Sequence, residues 1–228
     1  MYFCKDISPS MSHKAIVAGA SGLIGSNLLE ILLNEPAYDE VVILVRKSTG
    51  IKNKKLKEIV LDFDKIDGYK NEIIGHAIFC CLGTTNNKTP DKALYRKIDH
   101  DYPLTLANIA CENGIGQYHL VSSLGANSSS SIFYQKLKGE TEEDIKAVGL
   151  KTLHIYQPSL LTGDRKEFRL MEKITAGLFY IIDPLLVGGL KKYRSIPAKT
   201  VAMAMYNESI NKNEGVFIHP SDNIKQIA

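Results

Sequence analysis

"KAIVAGASGLIGSNLLEILLNEP", residues Lys14 to Pro36, decides the fold of this chain. Lys14–Gly19 is a short apolar run ending in glycine, which fits a buried strand. Leu23–Glu35 has the apolar spacing of a helix, and Pro36 marks its end. Between them stands "GASGLIG", with Gly19, Gly22 and Gly25 at the strand-to-helix turn. Gly19 suits a tight turn that needs positive φ. A side chain at Gly22 would block the approach of a pyrophosphate to the backbone, and Gly25 lets the helix pack on the strand. The first amides of the helix and the positive end of its dipole then face an anion. In a strand–turn–helix context this spacing points to dinucleotide binding; a helix-initiating turn without a ligand is the plainer alternative.

The rest of the chain repeats the alternation. Strands are predicted at Val41–Val45 ("VVILV"), Leu56–Phe63 ("LKEIVLDF"), His76–Gly83 ("HAIFCCLG"), Gln117–Ser123 ("QYHLVSS") and Thr152–Pro158 ("TLHIYQP"). Helical patterns run from about Asp91 to Asn113 and from Phe133 to Val148. Ile196–Ser209 reads as a closing helix and Gly215–Pro220 as a late strand. Continuous apolar strands alternating with helices imply an α/β fold, a doubly wound parallel sheet of Rossmann type. Ligands bind such sheets beyond the carboxyl ends of the strands. Gly19, Asp62, Gly83, Ser122 and Pro158 are therefore expected to line one crevice.

Composition narrows the function. The 228 residues are 44% hydrophobic and 23% charged, with a net charge of +3. That suits one soluble domain: residues 1–12 as a loose tail, and 13–228 as a single unit with a small substrate lobe at about 159–195. Mixed charges and the lack of a long basic run argue against nucleic acid as a partner. Cys4, Cys80, Cys81 and Cys111 show no metal-ligand spacing, so no metal is assigned. Cys80 and Cys81, in an apolar stretch, read as buried thiols of a reducing compartment, and with no signal-peptide core at the N-terminus the expected location is cytoplasmic. Ile174–Leu190 is apolar but interrupted by Asp183 and Pro184, too short for a membrane span. It is expected over the ligand or at a subunit contact such as that of a homodimer.

The second predicted strand ends in Arg46 and Lys47, where an NAD site usually carries an acidic residue for the ribose. A basic pair there suits a 2′-phosphate, and an arginine can stack on adenine. NADP(H) is thus favoured over NAD, with a solvated surface pair as the alternative. Asp62 and Phe63, at the end of the third predicted strand, are candidates to meet the adenine, with loop surface as the alternative.

The chemistry is sought in "SSLGANSSSSIFYQKLKGE", Ser122–Glu140. In a chain with 11 tyrosines and abundant lysine, one Tyr-x-x-x-Lys pair arises by chance, so Tyr134 and Lys138 must be judged by position. They begin the helix that follows the fifth strand and lie one turn apart. Carbonyl reduction needs a hydride on carbon and a proton on oxygen. A tyrosine hydroxyl, with an ordinary pKa of about 10, can give that proton when an ammonium favours the phenolate. The same ammonium can bond a nicotinamide ribose, and a serine at the strand end can hold the substrate oxygen. Ser122 is preferred over Ser123 because Gly125 follows it by three, although strand alternation lets only one of them face the crevice.

Taken together, "GASGLIG", "CCLGTT" (Cys80–Thr85), "IDHDYPL" (Ile98–Leu104), "VSSLGA" (Val121–Ala126), "YQKLKGE" (Tyr134–Glu140) and "QPSLLTGDR" (Gln157–Arg165) resemble an atypical short-chain dehydrogenase/reductase. Within that superfamily the chain is similar to the Tat-interacting-protein group of NADPH-binding oxidoreductases and its bacterial homologues. The resemblance runs from about Lys14 to Met205. It implies a Rossmann fold, NADP(H), and a Ser-Tyr-Lys site acting on a small-molecule carbonyl or alcohol. By motif position, Gly19, Ser21, Gly22, Leu23, Ile24 and Gly25 would hold the pyrophosphate, and Arg46 and Lys47 the adenosine phosphate. Leu82 and Gly83 would pass beside the ribose, and Leu161 would approach the nicotinamide. Two departures stand out: Gln157 where relatives often have Arg, and Asp99 where many short-chain enzymes carry an Asn that supports a proton relay. A catalytically weak NADPH-binding regulator and a nucleotide-sugar epimerase or dehydratase are the competing readings; the intact Tyr134–Lys138 pair argues against the first and the small lobe against the second.

Overall fold

The computed structural model describes residues 13–163 and 193–228. The expected tail at 1–12, the Ile174–Leu190 stretch and most of the expected lobe lie outside the described residues. The elements alternate from the start: β1 (Lys14–Ala18), α1 (Leu23–Asn34), β2 (Glu40–Val45), β3 (Leu56–Val60), β4 (Ala77–Cys80), α2 (Lys92–Arg96), α3 (Tyr102–Glu112), β5 (Gln117–Val121), α4 (Phe133–Ala147) and β6 (Thr152–Gln157). Two short strands, β7 (Leu161–Thr162) and β8 (Ile196–Pro197), precede α5 (Ala198–Ser209), β9 (Gly215–Pro220) and α6 (Ser221–Ile227).

Seven strands form one sheet in the order β3-β2-β1-β4-β5-β6-β9, and every pairing in it is parallel. β1 lies centrally: Ala18 stands beside Leu44 of β2 and Cys80 of β4. The chain winds outward in opposite directions from β1 and β4, which makes their carboxyl ends the switch point of the sheet. Ala15, Ile16, Val17 and Ala18 are all fully buried. Covered faces explain why β1 reads as an unbroken apolar run rather than an alternating one.

Each face has its own core. On one side α1 and α5 bring Ile24, Leu28, Leu32, Val201 and Met205 against Val17, Ile43 and Phe79. On the other, α3 and α4 bring Leu106, Ala107, Ile109 and Ile145 against Ile16, Val42, Ile78 and Ile155. Burying each large side chain of this kind contributes about 1.5–3 kcal/mol, so the two layers together hold the sheet between helices.

Three differences from the sequence reading have local causes. The predicted third strand stops at Val60, because Asp62 turns its carboxylate to the Asp64 amide and caps a 3₁₀ helix over Phe63–Tyr69. The long helix expected over Asp91–Asn113 is capped by Asp91 but widens into a π turn at Lys97–Asp101. Pro103 in the first turn of α3 has no N–H to continue a regular ladder. The π turn contains Asp99 and His100, both buried. The last helix, α6, was not anticipated.

Candidate active site

The glycine loop has the shape its sequence requires. Gly19 has φ +84°, and a Cβ there would stand 2.5 Å from the Cys81 carbonyl oxygen. A Cβ on Gly25 would stand 2.2 Å from the Gly19 oxygen, so α1 can begin at this distance from the turn only with glycine. Gly22 differs. Its Cβ would meet Gly19 O at 3.2 Å and Cys81 O at 3.9 Å, a crowding the fold could nearly absorb, so room for a ligand is the stronger reason for glycine. Gly22 is also the N-cap of α1, with no side-chain cap and no acidic residue in the first turn. The end of the helix is left to an anion, and the loop fits the pyrophosphate of a dinucleotide.

Around this loop the other expected contacts divide. Arg46 and Lys47 follow β2 and are exposed. The carboxylate beside them, Glu58, accepts from the Ser48 and Thr49 hydroxyls and from the Thr49 amide, and these bonds, Ser48's first, hold it below the usual carboxylate range. Asp62 is exposed, with one oxygen engaged by Asp64. Phe63 corrects the sequence reading: its ring is buried in the core, 5.5 Å from the ring of Tyr102. Only its backbone remains for an adenine. Leu82 is half-buried and Gly83 exposed after β4. Leu161, in the small β7–β8 pair, packs on the α1 side of the core.

The most developed electrostatic feature lies next to Gly83. Lys138 is 5% exposed and Asp99 1%, and Lys138 Nζ stands 2.9 Å from Asp99 Oδ1. The other Asp99 oxygen accepts from the Thr84 amide at 2.8 Å. A Cβ on Gly83 would come 3.5 Å from Asp99 Oδ1 and 4.0 Å from Lys138 Nζ, so the buried pair lies directly beneath this exposed glycine. Burial works against the ammonium, but Asp99 and then Tyr134 outweigh it and hold Lys138 well above the usual lysine value. Lys138 is therefore a fixed positive charge.

Tyr134 opens onto a cavity of about 520 Å³ walled also by Ser123, Leu124, Pro158, Leu160 and Tyr193. Here the preference for Ser122 is reversed. The Ser122 hydroxyl donates inward to Glu142 Oε1 at 2.5 Å, and Gln157 Nε2 donates to the same buried carboxylate at 2.9 and 3.0 Å. Ser123, on the other side of the strand end, lines the cavity with Tyr134. Gly125 follows Ser122 by three for a backbone reason, since its φ is +86°. Gly139 is a residue the sequence reading quoted but did not use. A Cβ there would stand 2.1 Å from the Ser128 nitrogen, so glycine lets the serine loop close over α4.

A second cluster escaped sequence reading altogether. His154 on β6, His219 on β9 and Glu208 on α5 come together on the α5 face of the sheet. Burial, and then His219, push His154 down to about 4, so its ring is neutral. The three positions belong to separate elements and form no local motif.

Comparison with known proteins agrees with the geometry. A family model described as NAD(P)H-binding matches residues 19–178. Protein HTATIP2 of Rattus norvegicus is 31% identical over 90% of this chain and 85% of its own length. Protein fmp52, mitochondrial, of Aspergillus fumigatus is 31% identical over 90% of each chain, and its counterpart in Candida albicans is 33% identical over 66% of this chain and 68% of its own. Among solved structures, a UDP-N-acetylglucosamine 4-epimerase from Methanobrevibacter ruminantium has a TM-score of 0.69 at 18% identity, covering 92% of this chain and 76% of its own. A Bordetella bronchiseptica enzyme, WbmH, solved with NAD⁺, has a TM-score of 0.68 at 16% identity, covering 92% and 76%. These structures share the fold. The word mitochondrial in the names of the fungal relatives overturns the cytoplasmic expectation; free thiols such as Cys80 do not distinguish compartments. Among the described residues no helix is long and apolar enough to cross a membrane. With a glycine-rich strand-to-helix loop, a buried lysine held charged beside Gly83 and relatives matched over most of its length, the chain belongs to the NAD(P)H-binding family, as an atypical short-chain dehydrogenase/reductase of the HTATIP2 group.

Proposed function

We propose that the protein is an NADP(H)-dependent oxidoreductase that interconverts a small carbonyl compound and its alcohol, with Tyr134 as the proton donor and acceptor. The observation that carries this reading is the buried Lys138–Asp99 pair, set beside Gly83 and one helical turn from a tyrosine that opens on a cavity. An ion pair so deeply buried is a poor source of stability, because desolvation offsets most of its attraction. A role for the fixed charge in the crevice accounts better for its presence.

The division of labour follows from the residues. Gly19, Ser21, Gly22, Leu23, Ile24 and Gly25 hold the pyrophosphate through backbone amides. Arg46 and Lys47 hold the adenosine 2′-phosphate, with Asp62 and the Phe63 backbone at the adenine edge. Leu82, Gly83 and Leu161 flank the ribose and nicotinamide. Bound NADP(H) supplies or accepts the hydride. Ser123 positions the substrate oxygen against Tyr134, whose hydroxyl gives it a proton in reduction and takes one in oxidation. Lys138 stabilises the phenolate left behind and bonds the ribose. Asp99, in the place of the Asn of many short-chain enzymes, keeps Lys138 charged and oriented. Ser122 and Glu142 anchor the strand end from beneath.

A screen of aldehydes, ketones and quinones for NADPH oxidation tests the reading. Turnover of at least one class, faster with NADPH than with NADH, is the expected result. Tight NADPH binding with no turnover of any panel member, and a partner interaction that changes with NADPH, would replace it with a regulatory role.

A further inference from the structure

We propose that His154, His219 and Glu208 form a site for one divalent transition-metal ion of the zinc type, tying α5 to the β6–β9 edge of the sheet. His154 Nδ1 and His219 Nε2 stand 3.0 Å apart. Glu208 Oε2 lies 3.8 Å from His154 Nδ1, and the three ligand atoms are all within 4.8 Å of one another. Two imidazole nitrogens bound to tetrahedral zinc at about 2.0–2.1 Å are about 3.3 Å apart. The histidines therefore need to open by only a few tenths of an ångström to ligate one ion. Water completes the coordination.

The surroundings of the cluster give a second, independent argument. His219 Nδ1 faces Asn223 Oδ1 at 2.8 Å. An amide oxygen only accepts, so the proton sits on Nδ1 and the lone pair of Nε2 points at His154. This is how an outer hydrogen bond fixes the ring of a metal-binding histidine. His154 donates its Nδ1 proton to that lone pair; to ligate, the proton moves to Nε2 of the same ring, which stays neutral. His154 is 1% exposed and His219 6%, whereas the Glu208 side chain keeps 13% of its surface in solvent, which leaves an entry at the rim. Two imidazole nitrogens and one carboxylate suit zinc, cobalt or nickel rather than magnesium or calcium, which prefer oxygen ligands. The site is separate from the cavity at Tyr134, though one chain of bonds joins them: Ser221, two residues after His219, meets the Ser159 hydroxyl at 2.9 Å, and Ser159 lines that cavity.

The test uses the full chain, freed of metal with a chelator. Zn²⁺ is titrated calorimetrically, and Co²⁺ is followed by visible absorption as a probe of coordination. One ion per chain is expected. Glu208→Gln and His219→Gln should each weaken binding at least about tenfold, and Asn223→Ala about 10–100-fold, with NADPH affinity unchanged in all three. If His219→Gln does not fold, Glu208→Gln decides alone, since it alters only the partly exposed ligand. No Zn²⁺ binding and no Co²⁺ spectrum would mean that the histidines are only a buried hydrogen-bonded pair. Binding that persists unchanged in Glu208→Gln would place the ion elsewhere. Either result overturns the proposal.

Discussion

Replacing Asp99 with Asn keeps the shape of the side chain and removes its charge. The amide oxygen can still accept from Thr84 N, now 2.8 Å from one carboxylate oxygen. Lys138, 5% exposed, would lose the opposite charge 2.9 Å away. Removing one partner of a buried pair costs about 3–5 kcal/mol, and the surviving amide contacts return about 1 kcal/mol. The expected loss at neutral pH is therefore about 2–4 kcal/mol, a fall in Tm of roughly 4–16 °C for a chain of this size. The pH dependence has a definite sign. In the native protein Lys138 is held above its ordinary value, so the stability from the pair is complete below the unfolded value of about 10.4 and is lost as pH rises through the folded one. In the variant, burial without the carboxylate lowers the lysine, and its penalty is relieved once the folded form loses the proton. The gap between the two proteins should thus narrow from about pH 9 upward. Urea unfolding of both proteins at neutral and alkaline pH measures it. A gap below about 0.5 kcal/mol at neutral pH, or one that does not change with pH, would refute the assignment of a coupled charge pair. The double variant Asp99→Asn with Lys138→Met should recover part of the loss, because no buried charge is then left alone.

The two serines separate by readout. Ser123→Ala should lower turnover by about 10²–10³-fold with little change in stability, whereas Ser122→Ala should cost about 1–3 kcal/mol in unfolding experiments and leave the rate within a few-fold. Arg46→Ala should weaken NADPH by about 1–3 kcal/mol and leave NADH unaffected in parallel titrations; equal losses for both cofactors would remove the 2′-phosphate role. Gly139→Ala puts a methyl 2.1 Å from the Ser128 nitrogen, so it should cost at least about 1–3 kcal/mol in thermal unfolding and lower turnover as the serine loop lifts.

The sheet was legible because a parallel strand buried on both faces is written as a continuous apolar run, as in Ala15–Ala18 and Val41–Val45. The glycine loop was legible because its spacing answers a steric demand that the chain itself makes at Gly19 and Gly25. What escaped depends on contacts between distant elements. Ser-x-x-Gly suggested Ser122, yet its glycine serves a positive-φ turn, and only the position of Glu142 on α4 shows which hydroxyl is drawn inward. Asp99 looked like a departure from an asparagine; its meaning appears only when the π turn carries it to Lys138. Phe63 was read as the last residue of the third strand but opens a 3₁₀ helix, and which way its ring points is decided by Tyr102 and the core. The His154–Glu208–His219 cluster joins two strands and a helix, and no pattern along the chain announces it.

The central claim is that Tyr134 moves the proton while Lys138 serves both the tyrosine and the cofactor. It is tested most directly by comparing Tyr134→Phe and Lys138→Met on whichever carbonyl the screen yields, with NADPH affinity measured in parallel. Tyr134 is 39% exposed, so losing its hydroxyl should leave the fold intact. The account expects turnover in Tyr134→Phe to fall by about 10²–10⁴-fold with NADPH affinity within a few-fold of the unmodified protein, and Lys138→Met to lose both. Turnover by Tyr134→Phe at the unmodified rate would contradict it.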